Sequence, residues 1–341
     1  MAKGKQKSLR SLVVGAGSIG TRHLANLRAL GFPELAVVEP DASRRAAAGK
    51  VAGAAFATLE EGLEWKPELA IVATPSHLHL APALALARQA VPLLVEKPLS
   101  HTEEGLDDLV REVTRRKLVS LVGCNMRFHP GPAAVKRLLE QGSIGRVLFA
   151  RIHTGSYLPE WRPAQDYRSS YSAQRSQGGG CLLDCVHEID LAQWYLGPIV
   201  ELFSMAEHLS SLEIDAEDVA VILARHAGRA LSEIHLDYVQ RTYERGCQIV
   251  GENGSIVWDF NQAEVRWYDA AQKRWNAAPH PPGWDLNGMY LDELKHFVRA
   301  VREGTATCLP IAEAAGLVRV VGAARKSAAE KRMVPIARAS A

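Results

Sequence analysis

The sequence predicts an α/β protein of two domains, the first built on a parallel sheet and the second rich in strands. Three observations predict this arrangement. The chain has 341 residues, which exceeds the size at which a single core usually stops growing. Up to residue 122, apolar strand-like runs alternate with helical patterns, as in parallel sheets. After residue 122, several strand-like runs rich in Val and Ile follow one another. We expect domains at residues 1–122 and 123–341.

Composition and charge exclude several classes of partner. The chain is 47% hydrophobic and 23% charged, with a formal net charge of +2, so it lacks the field of a nucleic-acid binder. The opening MAKGKQKS is expected to be a solvated tail. The apolar run after it is broken by Arg10 and is too short for a signal peptide or a membrane span. We therefore expect neither nucleic acid nor membrane as a partner.

The five cysteines indicate a reducing compartment. Their number is odd and they form no CxxC pair, which argues against a disulfide framework and favours the cytoplasm. Cys181 and Cys185 are four residues apart. Two thiols without further ligands nearby make a poor zinc site, so no metal is expected.

A glycine-rich turn follows the first strand. In LRSLVVGAGSIGTRHLANLRAL a buried strand ends at Val14, and Gly15, Gly17 and Gly20 have the GxGxxG spacing before a helix. Gly15 permits the tight turn, Gly17 lets a pyrophosphate approach the backbone, and Gly20 lets the helix pack on the strand. The pattern predicts a Rossmann dinucleotide site with the phosphates at the helix N-terminus. A glycine turn of some other α/β fold is the alternative.

The next strand, ELAVVEP, ends in an acid. Glu39 lies 24 residues after Gly15, where a carboxylate can bind the adenosine ribose hydroxyls and repel a 2′-phosphate. This favours NAD. Arg44 and Arg45 follow closely and would tolerate the extra phosphate, so NADP stays open.

The alternation of strands and helices continues to residue 123. ELAIVATPS and VPLLVEKPLS read as strands, followed by LVSLVGCNMRF. Ligands of parallel sheets bind beyond the carboxyl ends of the strands. Thr74, Lys97 and Asn125 are placed there, so we expect them near the bound ligands.

Several motifs in order give the chain a family resemblance. They are GAGSIGTRH, ATPSHLHL, EKPLS, NMRFHP, SIGRV, the GGG segment from Gly178, and PIAEAAGLVRVVGAARKSA. Together they resemble the glucose-fructose oxidoreductase, inositol dehydrogenase and MocA family, Gfo/Idh/MocA. The resemblance implies an N-terminal Rossmann domain with a parallel sheet, then an α+β domain with a large, mostly antiparallel open sheet. It also implies NAD as cofactor, a sugar substrate, and a homodimer or homotetramer that covers the open sheet.

The resemblance also implies site residues. Lys97 matches a lysine between the nicotinamide and the substrate hydroxyl, where it stabilises developing charge. Arg127, with Asn125, matches a pair that lines the substrate cleft or packs the domain junction. The expected cofactor contacts are Gly15, Gly17, Ser18, Ile19, Gly20, Glu39, Thr74, Pro75, His79, Glu96, Trp161 and Arg162.

The segment GGGCLLDCVHEID carries the expected proton-transfer group. Histidine suits this chemistry because its ordinary pKa lies near neutrality. The family motif DxGxH spaces its acid and histidine by four, whereas Asp184 and His187 are three apart. Either spacing puts both on one face of a single helix. Whether Asp184 orients His187, caps the helix, or leaves His187 to work with Lys97 stays open. Glu188 and Asp190 are expected to be structural, pairing with arginines such as Arg241 or Arg245.

The loop YLPEWRPAQDYRSSYSAQRSQGGG mixes aromatic and charged residues. Aromatic faces and guanidinium groups suit a ligand with sugar rings and an anionic group. The expected substrate contacts here are Tyr157, Asp166, Tyr167, Arg168 and Tyr171. The pattern resembles a subgroup of cell-surface sugar biosynthesis, with amino or acidic sugars that are sometimes nucleotide-linked. A loop packed on its own domain is the alternative.

These features predict an NAD(P)-dependent oxidoreductase that transfers hydride between nicotinamide and a secondary alcohol or ketone of a sugar. The catalytic residues would be Lys97, His187 and Asp184. Two alternatives remain: a redox-assisted glycosidase that holds NAD tightly, and a non-enzymatic dinucleotide sensor.

Overall fold

The structure is a computed structural model that describes residues 9–336. The expected solvated tail, residues 1–8, lies outside the described residues. The chain divides into two compact units. The first runs up to Gly123 and includes Tyr290–Ala315; the second is Cys124–Met289 with the chain from Gly316 onward.

A six-stranded parallel sheet forms the centre of the first unit. Its strands are β1 (Ser11–Val14), β2 (Leu35–Val38), β3 (Gly53–Phe56), β4 (Leu69–Val72), β5 (Leu93–Glu96) and β6 (Ser120–Gly123). Their order is β3-β2-β1-β4-β5-β6, the dinucleotide-binding arrangement with its crevice between β1 and β4. The helices are α1 (Ser18–Ala29), α2 (Ala42–Ala52), α3 (Leu59–Glu64), α4 (Leu80–Arg88) and α5 (Leu106–Arg115).

The strands of this sheet are short apolar runs because helices cover a parallel sheet on both faces. Every residue of β1, β2, β4, β5 and β6 is buried. The sequence does not predict β3, whose residues are Gly and Ala apart from Phe56 and alternate between exposed and half-buried. As an edge strand, β3 lacks the apolar signal of its neighbours.

The chain returns to the first unit near its end. Helices α9 (Leu286–Glu303) and α10 (Ile311–Glu330) each begin in one unit and end in the other. Between them, the Val122 N–H donates to the Leu309 carbonyl at 3.0 Å, and the Ile311 N–H donates to Ser120 Oγ at 3.1 Å. The expected boundary between residues 122 and 123 assigns residues 290–315 to the second domain. In the structure these residues belong to the first unit, beside the edge strand β6.

A nine-stranded sheet forms the second unit. Its strands are β7 (Val147–Gly155), β8 (Ile199–Glu207), β9 (Val219–His226), β10 (Leu231–Asp237), β11 (Glu244–Gly251), β12 (Gly254–Asp259), β13 (Glu264–Asp269), β14 (Arg274–Pro279) and β15 (Val334–Pro335). The order is β14-β13-β12-β11-β7-β10-β9-β8-β15. Only β7 and β10 pair in parallel. The expected parallel sheet followed by a mostly antiparallel one is confirmed.

Three helices of the second unit precede or interrupt these strands: α6 (Pro130–Glu140), α7 (Cys181–Asp184) and α8 (Val186–Leu196). The core of the unit includes Ile152, Ile234 and Trp258, each at most 1% exposed. Because alternate residues of a strand face opposite sides, the other side of β7 and β10 presents Phe149, Leu231 and their neighbours to solvent.

Candidate active site

The glycine turn after β1 is shaped by contacts that exclude side chains. Gly15 has φ +97°, and a Cβ there would lie 2.7 Å from the Ala73 carbonyl oxygen. A Cβ on Gly20 would lie 1.9 Å from the Gly15 oxygen. Both distances are below any real Cβ contact, so only glycine fits these two positions.

Gly17 is open where a phosphate would approach. A Cβ on Gly17 would meet no atom within 4 Å, and both Gly17 and Ser18 are exposed, with Ile19 half-buried. Gly17 caps α1 with no side-chain hydrogen bond, so the first N–H groups of the helix are not satisfied by a capping side chain. Open backbone N–H groups at a helix N-terminus fit the pyrophosphate of NAD.

Glu39 lies at the end of β2 and is 4% exposed. Its Oε2 accepts the Ala16 N–H at 2.8 Å, and its Oε1 accepts the Asp41 N–H and Arg44 Nη2, each at 3.0 Å. Burial raises the pKa of Glu39, but these hydrogen bonds outweigh burial and lower the pKa overall. The carboxylate is therefore ionised at neutral pH, and Oε2 keeps a lone pair for one ribose hydroxyl.

His79 links the ends of β4 and β5. Its Nε2 lies 2.8 Å from the Thr74 carbonyl oxygen, and its Nδ1 lies 2.8 Å from the Pro98 carbonyl oxygen. Burial lowers the pKa of His79 although both carbonyls favour the charged ring. The ring thus joins the segment of Thr74 and exposed Pro75 to the segment that follows half-buried Lys97.

Glu96, the residue before Lys97, contacts α1 within the fold. Its Oε1 lies 2.6 Å from Nε2 of His23, a fully buried residue of α1. Glu293 of α9 is also fully buried, and burial, followed by the charge of Glu96, raises its pKa well above the usual value. The sequence reading missed His23 and Glu293. The contact between Glu96 and His23 therefore joins α1, the helix after the glycine turn, to the end of β5.

The expectation that Asp184 and His187 share one helix is wrong. Asp184 is the last residue of α7, and Cys185, with φ −92° and ψ 32°, separates α7 from α8. His187 is the second residue of α8 and is 7% exposed. The backbone leaves the helical conformation at Cys185, so the residue spacing of a single helix does not determine the relative positions of the two side chains.

Asp184 is held by three hydroxyl groups from other segments. Its Oδ1 accepts Tyr171 OH at 3.0 Å, and its Oδ2 accepts Ser172 Oγ at 2.6 Å and Tyr238 OH at 3.2 Å. Asp184 is 5% exposed. Hydrogen bonds of this number satisfy a buried carboxylate and join α7, the residue after β10 and the loop before α7.

Glu188 and Asp190 are both buried in ion pairs. Glu188 Oε1 lies 2.8 Å from Arg245 Nε, which agrees with the structural role expected for Glu188. Asp190 pairs with Arg127, whose Nε and Nη2 donate to its two oxygens at 2.9 and 2.7 Å. Arg127 is 6% exposed. This bidentate pair supports the packing alternative for Arg127 rather than a substrate contact.

Part of the loop after β7 is folded on itself. Arg168 donates to both oxygens of Asp166 and to Glu213 Oε2, and Tyr167 OH accepts the Glu213 N–H. These contacts support the alternative of a loop packed on its own domain for Asp166, Tyr167 and Arg168. The hydrogen bonds from Arg168 lower the pKa of Asp166, although burial acts in the opposite direction.

The other loop residues are linked to Asp184 through tyrosine side chains. Trp161 Nε1 donates to Ser156 Oγ at 2.6 Å, and its ring meets Tyr238 edge to face at 5.2 Å. The guanidinium of Arg162 lies over the Tyr171 ring at 5.6 Å. Trp161, Arg162 and Tyr171 are therefore linked to the hydroxyls that hold Asp184.

The structure also bears on metals, thiols and membranes. Within residues 9–336, no cluster of three His, Cys, Asp or Glu side chains is arranged to hold a metal ion, and no helix has the length and hydropathy of a membrane span. The five cysteines are free thiols, four of them buried.

Comparison with known proteins identifies both halves of the chain. Residues 9–124 match the oxidoreductase family with an NAD-binding Rossmann fold, and residues 133–257 match the GFO/IDH/MocA C-terminal domain. Inositol 2-dehydrogenase of Leifsonia xyli is 30% identical over 316 residues, which cover 89% of this chain and 87% of that protein. A shorter match, 31% over 138 residues, covers 40% of this chain and 36% of 2,7-anhydro-N-acetylneuraminate hydratase of Mediterraneibacter gnavus.

Solved structures agree on the fold. Levoglucosan dehydrogenase in complex with NADH superposes with a TM-score of 0.88 at 22% identity, covering 98% of this chain and all of that one. The glycine turn, the acid after β2 and the two sheets fit the matched family along both units. The chain belongs to the Gfo/Idh/MocA family of NAD-binding oxidoreductases.

Proposed function

We propose that this protein is an NAD-dependent dehydrogenase or ketone reductase that acts on a secondary alcohol of a sugar or sugar derivative. The observation that carries the proposal is the glycine turn with open Gly17 and ionised Glu39, in a chain 30% identical to an inositol 2-dehydrogenase. A carboxylate at the end of β2 favours NAD over NADP. NAD, when bound, supplies the hydride acceptor.

Within this proposal, the chain's own residues handle the proton and the charge on oxygen. His187 takes the proton of the substrate hydroxyl during oxidation and returns it during reduction. Lys97 donates a hydrogen bond to the same oxygen as charge develops on it. Asp184, fixed by Tyr171, Ser172 and Tyr238, holds the segment that leads into α8.

Turnover with purified protein tests this function. NADH formation would be followed by absorbance with inositol, levoglucosan, hexoses, uronic acids and sugar nucleotides, in the presence of NAD. We expect at least one member of the panel to be oxidised with saturable kinetics. Absence of turnover on every member, in protein shown by calorimetry to bind NAD, would contradict the proposal and favour a dinucleotide sensor.

The partial match to an anhydro-sugar hydratase favours a second candidate. In that case NAD would be reduced and reoxidised within one catalytic cycle, so the sugar product would form without net NADH. Co-purification of NAD, and product formation whose rate does not respond to added cofactor, would select this reaction over a simple dehydrogenase.

Glu39→Ala is expected to weaken NAD binding. Loss of a charge-assisted hydrogen bond of ~1.5–3 kcal/mol would raise the KM for NAD about ten- to hundredfold, and the relative use of NADP would increase. Arg44→Ala is the companion variant. It removes the exposed cation beside Glu39, so it should weaken NADP more than NAD. Unchanged NAD kinetics in Glu39→Ala would refute the ribose contact.

We also propose that the open face of the nine-stranded sheet packs against a second copy of the chain. Met205, Leu223 and Leu231 are 59, 53 and 47% exposed. The charged residues of this face pair within the sheet, Arg225 with Glu201 and Arg151 with Glu233. An apolar face whose charges are already balanced suits a copy of itself.

Leu223→Arg should disrupt this assembly because it buries an uncompensated charge in the interface. Light scattering coupled to gel filtration would show a smaller particle than for the unmodified protein. Leu209→Arg is the matched control, since Leu209 is 65% exposed and follows β8 outside the sheet. An unmodified protein that is monomeric would overturn the proposal.

A further inference from the structure

We infer that Glu293 of α9 carries a proton in the free protein and releases it, through Glu96, when the oxidised form of the cofactor binds. The two side chains, here called the acid pair, distinguish NAD from NADH by the charge of the nicotinamide ring. This inference rests on the proposed function. It assigns a role to Glu293, which the sequence did not single out.

Helix α9 brings Glu293 to the end of β5. Tyr290, three residues earlier on α9, meets the ring of His23 edge to face, with centroids 6.2 Å apart. His23 Nε2 in turn lies 2.6 Å from Oε1 of Glu96, the last residue of β5. Because residues three apart share one face of a helix, Glu293 faces the same cluster as Tyr290.

Glu293 is buried without a partner. It is 0% exposed, and within residues 9–336 neither of its carboxyl oxygens has a hydrogen-bond partner. An ionised carboxylate in this place would have neither water nor a donor to stabilise it. Burial, followed by the charge of Glu96, raises the pKa of Glu293 well above the usual value. Glu293 is therefore the neutral member of the acid pair.

Glu96 connects the acid pair to the ligand end of the sheet. Its side chain is 9% exposed, and ligands of a parallel sheet bind beyond the carboxyl ends of the strands. Oε1 of Glu96 contacts His23, whereas Oε2 lies beside Gly123, where a Cβ would be 3.1 Å from it. Glu96 is therefore the member that can exchange a proton with solvent.

The cations near the acid pair lie on α1 and directly after β5. Arg22 is exposed, and its Cζ is 4.6 Å from the centroid of the Tyr290 ring. Lys97 is half-buried. In the described chain, neither Arg22 nor Lys97 donates a hydrogen bond to Glu293. The acid pair thus holds a single negative charge, that of Glu96, as long as Glu293 keeps its proton.

The two forms of the cofactor differ by one charge at the nicotinamide ring. NAD and NADH carry the same phosphates, but the ring is cationic in NAD and neutral in NADH. Lys97, which directly follows Glu96, is proposed to act at the reacting oxygen beside this ring. A nearby cation favours the ionised form of an acid, so NAD favours loss of the Glu293 proton and NADH does not. The proton passes to solvent, and no electron moves.

Calorimetry of cofactor binding tests the inference without turnover. NAD and NADH would each be titrated into the protein in buffers of different ionisation enthalpy, at neutral and at mildly alkaline pH. The slope of the observed heat against the ionisation enthalpy of the buffer gives the number of protons exchanged. We expect NAD to release more protons than NADH. The affinity for NAD relative to NADH should then rise with pH, by up to about tenfold per pH unit.

Glu293→Gln should remove the difference in proton release between NAD and NADH, because the amide has no acidic proton. Glu303→Gln is the matched control, since Glu303 is exposed at the end of the same helix, and it should retain the difference. Melting temperatures would verify that both variants are folded. Infrared spectra of the unmodified protein give a second measurement. NAD, but not NADH, should convert the band of a neutral carboxylic acid into carboxylate bands.

Three calorimetric results would overturn the inference. They are equal proton release with NAD and NADH, a difference that persists in Glu293→Gln, and a difference that Glu303→Gln abolishes as well. An infrared spectrum in which NAD leaves the carboxylic acid band unchanged would also overturn it, even if Glu293→Gln does not fold. If a sugar is oxidised while both cofactors release the same number of protons, only this inference fails. If the difference is found and no sugar is oxidised, only the proposed function fails.

Discussion

His187→Ala is expected to lower kcat by about a hundred- to ten-thousandfold, with the Kd for NAD unchanged. A positioned proton donor or acceptor typically contributes this factor, and His187 belongs to the second unit whereas the residues proposed to bind NAD, the glycine turn and Glu39, belong to the first. Steady-state kinetics on the best sugar of the panel, with NAD affinity from calorimetry, would measure both quantities.

The control for this variant is His208→Ala, which removes an exposed histidine whose ring lies 3.6 Å from Asp218. It should retain most of the activity. A His187→Ala protein that keeps more than about a tenth of kcat would contradict general acid–base catalysis by this residue. Lys97→Ala should lower kcat as well, and a variant that instead loses only NAD affinity would show that Lys97 acts on the cofactor.

Asp190→Ala is expected to lower the free energy of unfolding by about 3–5 kcal/mol. Asp190 is fully buried, and the mutation leaves the guanidinium of Arg127, whose side chain is 4% exposed, without its counterion. Burial raises the pKa of Asp190, and the charge and hydrogen bonds of Arg127 act against this increase. The ionised form of Asp190 therefore depends on Arg127. Urea unfolding followed by circular dichroism would measure the loss.

The surface pair of Arg146 and Glu252 provides the comparison. Its side chains are 63 and 48% exposed, so Glu252→Ala should cost no more than about 1 kcal/mol. The apolar double variant Arg127→Met/Asp190→Leu should recover much of the stability lost in Asp190→Ala, since it removes both buried charges. A loss in Asp190→Ala no larger than in Glu252→Ala would show that the pair contributes little.

The fold could be predicted from the sequence where the contacts that determine it join residues close together along the chain. Gly15 and Gly20 are required by contacts within one strand-turn-helix unit, so their spacing in sequence reports their function. The buried strands of the first unit consist mostly of apolar residues and stand out for the same reason. The edge strands β3, β14 and β15 were missed because they lack the buried apolar runs that mark their neighbours.

The site was less predictable because its contacts are long-range. Asp184 is fixed by Tyr238, 54 residues later, and Arg127 by Asp190, 63 residues later. The local spacing of Asp184 and His187 favoured one helix, and the turn at Cys185 follows from packing that the spacing does not encode. The ion pair between Arg168 and Glu213 could not be predicted from amino-acid composition either.

The chain passes three times between the two units, after Gly123, after Met289 and after Ala315. A fragment that stops at Gly123 would carry the dinucleotide turn but lack Leu309 and Ile311, the partners of Val122 and Ser120 on the outer strand β6. It would also lack Glu293 and the rest of α9. Exchanging cofactor preference with a relative by recombination therefore calls for grafting residues 290–315 together with the first 123, as one discontinuous module.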